Sequence, residues 1–284
     1  MSLNLDVVGR EWEAQERVWT SRDVLLYALG VGAGAGNPAA ELAFTTENSH
    51  DVTPRVLPTF ALVLGGGDGP NRPKLGDFDF ARVLHAEQSI RLRGPLATDG
   101  RVRTTSRVTG MYDKGSGALI VTESVLREAA TGRLLAELGS SIFVRGEGRF
   151  GGERGEQVPW EPPTRPADHV VVQPTRPDQA LLYRLSGDRN PLHSDPWLAA
   201  KAGFERPILH GLCTYGFTGR ALLHTLCDAD PARFGSMQAR FSAPVLPGQE
   251  LAVHIWDDGE TSRFVTKTGD TVVLDRGVFT RRSV

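Results

Sequence analysis

The hydrophobic pattern of the chain switches between helical and alternating periods, and it predicts the same order of elements twice. Residues 20–23 (TSRD) have the form of a helix-opening capping box and precede an apolar run over 24–29. The apolar segment 55–67 (RVLPTFALVLGGG) is typical of a buried helix. Stretches rich in Val, Ile, Thr and Leu then alternate with turn sequences, which predicts antiparallel strands near 86–93, 101–113, 117–127 and 133–145.

A segment rich in Gly, Pro, Glu and Arg, residues 146–175, interrupts this pattern and is typical of a linker. Beyond it, residues 175–178 (TRPD) open a further helix, and a long helix is predicted from Gly211 onward. Strands are predicted near 236–245, 249–258, 261–267 and 270–281. The chain therefore divides into an N-terminal half (1–148), a linker (149–175) and a C-terminal half (176–284).

The two halves also align residue by residue. LLYALGVG (25–32) lies over LLYRLSGD (181–188), and RVLPTFALVLG (55–65) lies over RPILHGLCTYG (206–216) without a gap. Two copies of one unit in the same order indicate a tandem duplication. Each copy reads as a helix laid against an antiparallel sheet, which is an α+β arrangement.

Composition excludes several classes of function. The chain has 284 residues, of which 40% are hydrophobic and 23% charged, and its net charge of −2 does not favour nucleic-acid or anionic-membrane binding. No apolar run reaches the ~18 residues that span a bilayer. Cys213 and Cys227 fall in an apolar helix and read as reduced, buried thiols. The polar N-terminus and the RRSV tail carry no secretory or peroxisomal address, so we expect a cytoplasmic protein.

The second copy carries a cluster of polar residues that the first copy lacks. Asp188, Asn190 and His193 lie within six residues, and the pair His210-Gly211 begins the predicted long helix. The first copy has other residues at the positions of Asp188, His210 and Gly211, namely Gly32, Thr59 and Phe60. Because the first copy keeps the predicted shape without this cluster, we interpret the cluster as functional.

These residue types suit acid/base chemistry on one water molecule. A carboxylate and an imidazole can hold and deprotonate a water that the Asn190 amide helps to fix. The N–H of Gly211 at a helix start can stabilise an oxygen that gains negative charge. Two other readings compete: a solvated turn, since Gly, Asp, Asn and Pro all form turns, and a metal site with His210 as a third ligand. We predict no metal, and we expect His210 to be a structural hydrogen-bond donor.

The strings YRLSGDRNPLHSDP (183–196) and AGFERPILHGLCTYG (202–216) closely resemble the signature of type-2, (R)-specific enoyl-CoA hydratases of the MaoC-like group. YALGVGAG, VLPTFALVLG, VLHAEQ and DKGSG in the first half resemble them too, so the likeness covers nearly the whole chain. The resemblance implies an α+β double hot-dog fold, in which each of two tandem halves is a long central helix wrapped by an antiparallel sheet.

The resemblance also implies an activity, namely the reversible hydration of trans-2-enoyl-CoA to (3R)-3-hydroxyacyl-CoA by a lyase of lipid metabolism. Asp188 and His193 match the family's catalytic pair, Asn190 matches the residue that supports them, and Gly211 matches the oxyanion-hole glycine. The implied substrate-binding residues are His85, Lys114, Arg189 and Phe241. Ala86 stands where the family often has glycine. Apart from the CoA of the substrate, no cofactor is expected, and a homodimer is left open.

Two alternatives remain at this stage. One is a hot-dog thioesterase or a dehydratase that acts on carrier-protein substrates, and the other is a non-catalytic acyl-CoA-binding subunit. The complete polar cluster argues against the second alternative, because binding alone does not require it. We further hypothesise that Gly32, which replaces a bulky polar residue, leaves room for a longer acyl chain.

Overall fold

The computed structural model describes residues 2–13, 16–66, 71–79, 82–156 and 159–283. Within these residues the strands are β1 (Glu11–Glu13), β2 (Arg17–Trp19), β3 (Val83–Leu92), β4 (Gly100–Asp113), β5 (Gly117–Glu128), β6 (Leu134–Arg145), β7 (His169–Pro174), β8 (Phe234–Phe241), β9 (Glu250–Asp257), β10 (Thr261–Thr268) and β11 (Thr271–Arg281). They form one sheet in the order β1-β4-β5-β6-β3-β8-β11-β10-β9-β7, and β2 also pairs with β4. The predicted antiparallel strands of both halves are thus confirmed, although their order is not a simple meander, because the first predicted strand of each half pairs with its last, β3 with β6 and β8 with β11.

The described residues also form six α-helices. They are α1 (Ser21–Gly30), α2 (Leu42–Thr45), α3 (Ala61–Leu64), α4 (Gln179–Tyr183), α5 (Pro196–Lys201) and α6 (Gly211–Cys227). The capping box predicted at 20–23 opens α1, with the Thr20 N–H donating to Asp23 Oδ2 at 2.8 Å. Among the described residues, no helix combines the length and the apolar character that a membrane crossing requires.

The two halves join through the pairing of β3 with β8, in which Glu87 lies opposite Arg240 and Ile90 lies opposite Met237. The strand order is the same on both sides of this seam. The order β4-β5-β6-β3 of the first half corresponds to β9-β10-β11-β8 of the second half. The sheet therefore continues from one half into the other without an edge. Because backbone hydrogen bonds cross the seam, side chains from both halves keep fixed positions relative to one another.

The predicted linker is partly wrong. Its last part, His169–Pro174, forms β7 and pairs with β9, with Val171 opposite Val253. Three consecutive valines (170–172) have the β-branched shape that packs well on a pleated surface, and this outweighs the turn-rich context. The described residues of 149–156 and 159–168 contain neither helix nor strand. The division of the chain at 148 and 176 otherwise stays a prediction.

Among the residues that the structure describes, only those of the second half form a long central helix. The 17-residue α6 is buried along most of its length, with Phe217, Leu222 and Leu223 inaccessible to solvent. Its counterpart α3 has only four residues and is preceded by a 3-10 turn at Pro58–Phe60. Glycines at 65 and 66 follow α3 directly, and glycine is unfavourable within a helix by about 1 kcal/mol relative to alanine. The central helix expected in the first half is therefore present, but the expectation that it is long was wrong.

The hypothesis that Gly32 leaves room for an acyl chain is also wrong. Gly32 has φ of +79°, and a Cβ built there would lie 2.3 Å from Cε1 of Phe217 on α6. The space beside Gly32 is thus already filled by the ring of Phe217. A nearby carboxylate, Glu41, holds this loop on α6 by accepting from Arg220 Nη1 at 2.6 Å and pairing with His224 Nε2 at 2.8 Å.

We expect the Gly32→Ala variant to lose more than about 1 kcal/mol of unfolding free energy, because a positive φ and the Phe217 ring both oppose a Cβ. Gly36→Ala is the matched control, since its φ is not positive and a Cβ there would meet no atom within 4 Å. Equilibrium denaturation of both variants measures the difference. Equal stability of the two variants would contradict the assigned loop conformation.

Candidate active site

The candidate catalytic residues lie on a loop that follows α4. A 3-10 turn (Arg184–Ser186) ends at Gly187, whose φ of +136° turns the chain toward α6. Asp188 Oδ1 then accepts the N–H of Asn190 at 3.0 Å, and Asn190 Oδ1 accepts the N–H of Leu192 at 3.0 Å. The turn that these residue types indicate in the sequence is therefore present in the structure. Its effect is to direct His193, which is only 8% exposed, into the interior.

The ring of His193 is fixed in one tautomer. Its Nδ1 lies 2.9 Å from the carbonyl oxygen of Ile208. Because a carbonyl can only accept, Nδ1 carries the proton, and the lone pair of the neutral ring is on Nε2. Burial lowers the pKa of His193 below its usual value, although the Ile208 carbonyl and the charge of Asp188 oppose this effect. At neutral pH His193 is thus an uncharged base.

A second histidine, His210, stacks on His193 with ring centroids 3.8 Å apart and 30° between the planes. Its Nε2 donates to the main-chain oxygen of Asp188 at 3.3 Å, the contact expected of a structural donor. His210 is 1% exposed, and burial together with the neighbouring His193 lowers its pKa to about 4. Its Nδ1 has no hydrogen-bond partner within the described residues. His210 therefore supports the loop as a neutral ring.

The same three residues fit a metal ion poorly. The carboxylate of Asp188 and one nitrogen each from His193 and His210 lie within 4.8 Å of one another, which is close enough for a shared ion. However, the lone pair of an imidazole lies in the plane of its ring, and zinc requires nitrogens at about 2.0–2.1 Å in a tetrahedral arrangement. Two stacked rings direct their lone pairs side by side and not toward a common point. The absence of a metal from the reaction stays a prediction.

Gly211 supplies a free amide at the start of α6. The carbonyl of His210 accepts from the N–H groups of Cys213 and Thr214 at 3.0 and 3.2 Å, which begins the helix. The Gly211 N–H has no acceptor in the part of the chain that the structure describes, and it lies at the positive end of the helix dipole. A Cβ at this position would lie 3.0 Å from Cε1 of Phe241. Glycine thus lets the Phe241 ring approach the helix start closely.

The first half contributes His85 to the same region. The His85 and Phe241 rings lie 4.6 Å apart between centroids, and His85 Nε2 lies 3.1 Å from Ser140 Oγ. Burial lowers the pKa of His85 to about 4, while the negative charge of Asp188 acts in the opposite direction. His85 is therefore a neutral side chain near the acid/base groups. The sequence placed it among the substrate-binding residues, and the structure brings it to the site.

Two further predicted substrate-binding residues, Lys114 and Arg189, occupy different parts of the structure. Lys114 follows β4 and donates to the main-chain oxygen of Arg154. Because His85, Ile142, Ile120 and Met111 are in register across four strands, Lys114 is roughly 18 Å from His85 by strand spacing and rise. Arg189 is exposed on the catalytic loop. Lys114 is thus too far from His85 for both side chains to contact the same atoms of a substrate, whereas Arg189 directly follows Asp188.

Comparison with known proteins identifies the family. Residues 18–146 match the MFE-2 hydratase 2 N-terminal domain, and residues 160–276 match the MaoC like domain. The 3-hydroxyacyl-thioester dehydratase Y of Mycobacterium tuberculosis is 46% identical, with 94% of this chain and 92% of that protein covered. The enoyl-CoA hydratase ChsH3 of the same organism is 42% identical, with 98% of both chains covered.

A solved structure supports the same assignment. The MaoC-like dehydratase from Phytophthora capsici superposes with a TM-score of 0.86 at 31% identity, covering 99% of this chain and 98% of that chain. The chain belongs to the MaoC-like hydratase and dehydratase family. The predicted double hot-dog fold and the predicted class of enzyme, a hydro-lyase, are thereby confirmed. A cytoplasmic location stays a prediction, since four relatives have names that specify a peroxisomal protein.

We expect the unfolding free energy to fall as the pH decreases from about 6.5 toward 4. His193 and His210 have lowered pKa values in the folded protein, so the unfolded chain binds protons first. This stabilisation is complete above the unfolded pKa and is lost with falling pH, at up to about 1.4 kcal/mol per pH unit for each histidine. Chemical denaturation at pH 7 and pH 5 measures the slope.

The His210→Gln variant should show a shallower fall, because one buried titrating group is removed. His50→Gln is the control, since the His50 side chain is 93% exposed. An unchanged slope in His210→Gln, or an equal change in both variants, would contradict the account of a buried neutral pair.

Proposed function

We propose that the protein catalyses the reversible, stereospecific addition of water to trans-2-enoyl-CoA, which gives (3R)-3-hydroxyacyl-CoA. The observation that carries the proposal is the tautomer of His193, whose unprotonated Nε2 is fixed by the Ile208 carbonyl. Relatives with names that specify an enoyl-CoA hydratase and a 3-hydroxyacyl-thioester dehydratase support this substrate class, because the two activities are one reaction in opposite directions.

The first step is the activation of water. Asp188 accepts a hydrogen bond from the water, and His193 Nε2 removes one of its protons as the oxygen attacks C3 of the enoyl group. The lowered pKa of His193 keeps the ring available as a base at neutral pH. Asn190 acts on this step indirectly, since its side chain caps the turn that carries His193.

The second step moves charge onto the thioester. As the C3–O bond forms, the electrons of the C2=C3 bond shift and produce an enolate at the thioester oxygen. The Gly211 N–H stabilises this oxygen, and a single donor of this kind is worth about 10²–10³ in rate. Protonation of C2 then completes the addition. Because Asp188 and His193 lie on one loop, the proton that this loop returns to C2 arrives on the same face of the substrate as the attacking water.

His85 and Phe241 adjoin the thioester of the bound substrate. Lys114 carries a positive charge suited to a phosphate of the CoA part. A thioesterase or a carrier-protein dehydratase would use the same groups differently. A thioesterase would release a free thiol, whereas hydration consumes the enoyl absorbance and leaves the thioester intact.

We expect Asp188→Asn and His193→Ala each to lower kcat/KM for hydration at least 100-fold, because each removes one of the groups that activate water. The assay follows the loss of enoyl-thioester absorbance, with (3R)- and (3S)-specific dehydrogenases to read the product and a chromogenic reagent to detect thiol. Asp270→Asn and His50→Ala change the same residue types at exposed positions and serve as controls.

Near wild-type hydration by either site variant would contradict the assigned acid/base pair. A (3S) product would contradict the proposed stereochemistry. Thiol release without hydration would replace the proposed reaction with thioester hydrolysis.

A further inference from the structure

A cavity of about 210 Å³ lies in the first half, next to the proposed active site. Its lining includes His85 and Leu212, the residue that follows Gly211 on α6. The cavity occupies the inner face of the first-half sheet beyond the end of α3, where a longer central helix would lie. It therefore lies next to the acyl chain of a thioester whose oxygen is bound by the Gly211 amide.

The inner face of the sheet at this cavity is polar. Thr122 of β5 lies opposite Ser140 of β6, which in turn lies opposite Gln88 of β3. Two residues further along, Ser124 of β5 lies opposite Ser106 of β4. All five side chains line the cavity, since residues two apart on a strand share a face. A continuous set of hydroxyl and amide groups thus faces the space in which an acyl chain would lie.

These groups are only partly satisfied by the protein. Ser106 and Ser124 share one hydrogen bond of 2.8 Å, so the pair keeps a further donor or acceptor for another group. Gln88 Nε2 donates to the carbonyl of Gly139 at 2.8 Å, which fixes its amide. The hydroxyl of Thr122 has no hydrogen-bond partner among the residues that the structure describes. A polar group in such a position is satisfied by water or by a ligand.

The second half shows that the fold does not require polar residues here. The corresponding inner face of β8 and β9 carries Met237, Ala239, Leu251, Val253 and Ile255, all of them buried against the core. A threonine does face inward on β10, but Thr266 is bonded to Thr218 of α6 at 2.8 Å. Thr266 thus has its partner on the central helix. In the first half the short α3 leaves Thr122 without one.

The rest of the cavity is apolar, with Leu62, Ile120 and Leu138 among its lining residues. A cavity of about 150 Å³ holds one benzene molecule, so this one holds about eight non-hydrogen atoms by the same ratio. An acyl chain of medium length fits this volume, with its methylene groups on the apolar wall. An unsubstituted chain that displaces water from the cavity would also leave the hydroxyl groups of the opposite wall without partners, which is unfavourable.

Resting on the proposed function, we propose that the preferred substrates are medium-chain trans-2-enoyl-CoA esters that carry a hydroxyl group on the distal part of the acyl chain. Thr122, with the Ser106–Ser124 pair beside it, binds this hydroxyl group. The reacting carbons lie outside the cavity, so these residues determine specificity and take no part in the water addition.

The test compares 6-hydroxy-hex-2-enoyl-CoA, 8-hydroxy-oct-2-enoyl-CoA and 10-hydroxy-dec-2-enoyl-CoA with the unsubstituted trans-2 esters of equal length. Selectivity is the ratio of kcat/KM for the hydroxylated ester to that for its unsubstituted partner. We expect the wild-type ratio to exceed one for at least one length. Thr122→Val and Ser124→Ala should each lower that ratio about three- to tenfold, the effect of one neutral hydrogen bond.

Thr104→Val is the matched control, because Thr104 is also an inward-facing residue of β4, 2% exposed, but does not line the cavity. Its ratio should remain that of the wild type, and all three variants should hydrate crotonyl-CoA at the wild-type rate. A wild-type ratio of one or less at every length, as expected if the polar wall binds only water, would overturn the proposal. So would a ratio that neither Thr122→Val nor Ser124→Ala changes. Failure to hydrate any ester, crotonyl-CoA included, would instead overturn the proposed function.

Discussion

The hydrogen bond from His193 Nδ1 to the carbonyl of Ile208 is the interaction on which the rest of the site depends. It holds the imidazole in the tautomer that leaves Nε2 free, and it ties the catalytic loop to the segment that leads into α6. His210, the residue before α6, stacks on the same ring and donates to the Asp188 carbonyl. His193, Asp188 and the Gly211 amide are therefore positioned by a single connected set of contacts. Burial lowers the pKa of both imidazole rings, which keeps the two histidines uncharged at neutral pH.

The two copies of the repeat have taken different roles through one difference in packing. In the second half, the long α6 fills the concave face of the sheet and begins at the active site. In the first half, α3 ends after one turn, and the corresponding space becomes a cavity. The remainder of the first half still packs as a core, since Tyr27, Leu57 and Phe60 are nearly inaccessible. A shortened helix thus makes room for a ligand without loss of the surrounding fold.

Much of this arrangement was predictable from the sequence, because its signals are local. The turn residues around Asp188 and Asn190, the glycine at the start of α6, and the alternation of the strands each depend on neighbours in the chain. The length of α3 was not predicted, because segment 55–64 is as apolar as a long buried helix and only the glycines after it mark the end. The filling of the space at Gly32 by Phe217 and the stacking of His210 on His193 depend on residues far apart or on side-chain direction. The set of hydroxyl and amide groups that lines the cavity depends on strand register, which the alternation of polar and apolar residues alone does not determine.

The seam between β3 and β8 joins the two halves as parts of one chain and not as separate subunits. In a symmetric dimer of identical hot-dog subunits, every substitution appears in both copies, so a helix shortened in one subunit is shortened in the other. A single chain removes this constraint. Here the 17-residue α6 and the four-residue α3 belong to different halves of one chain, and each is encoded separately. The fused seam therefore permits an asymmetry that a homodimer of single hot dogs could not have.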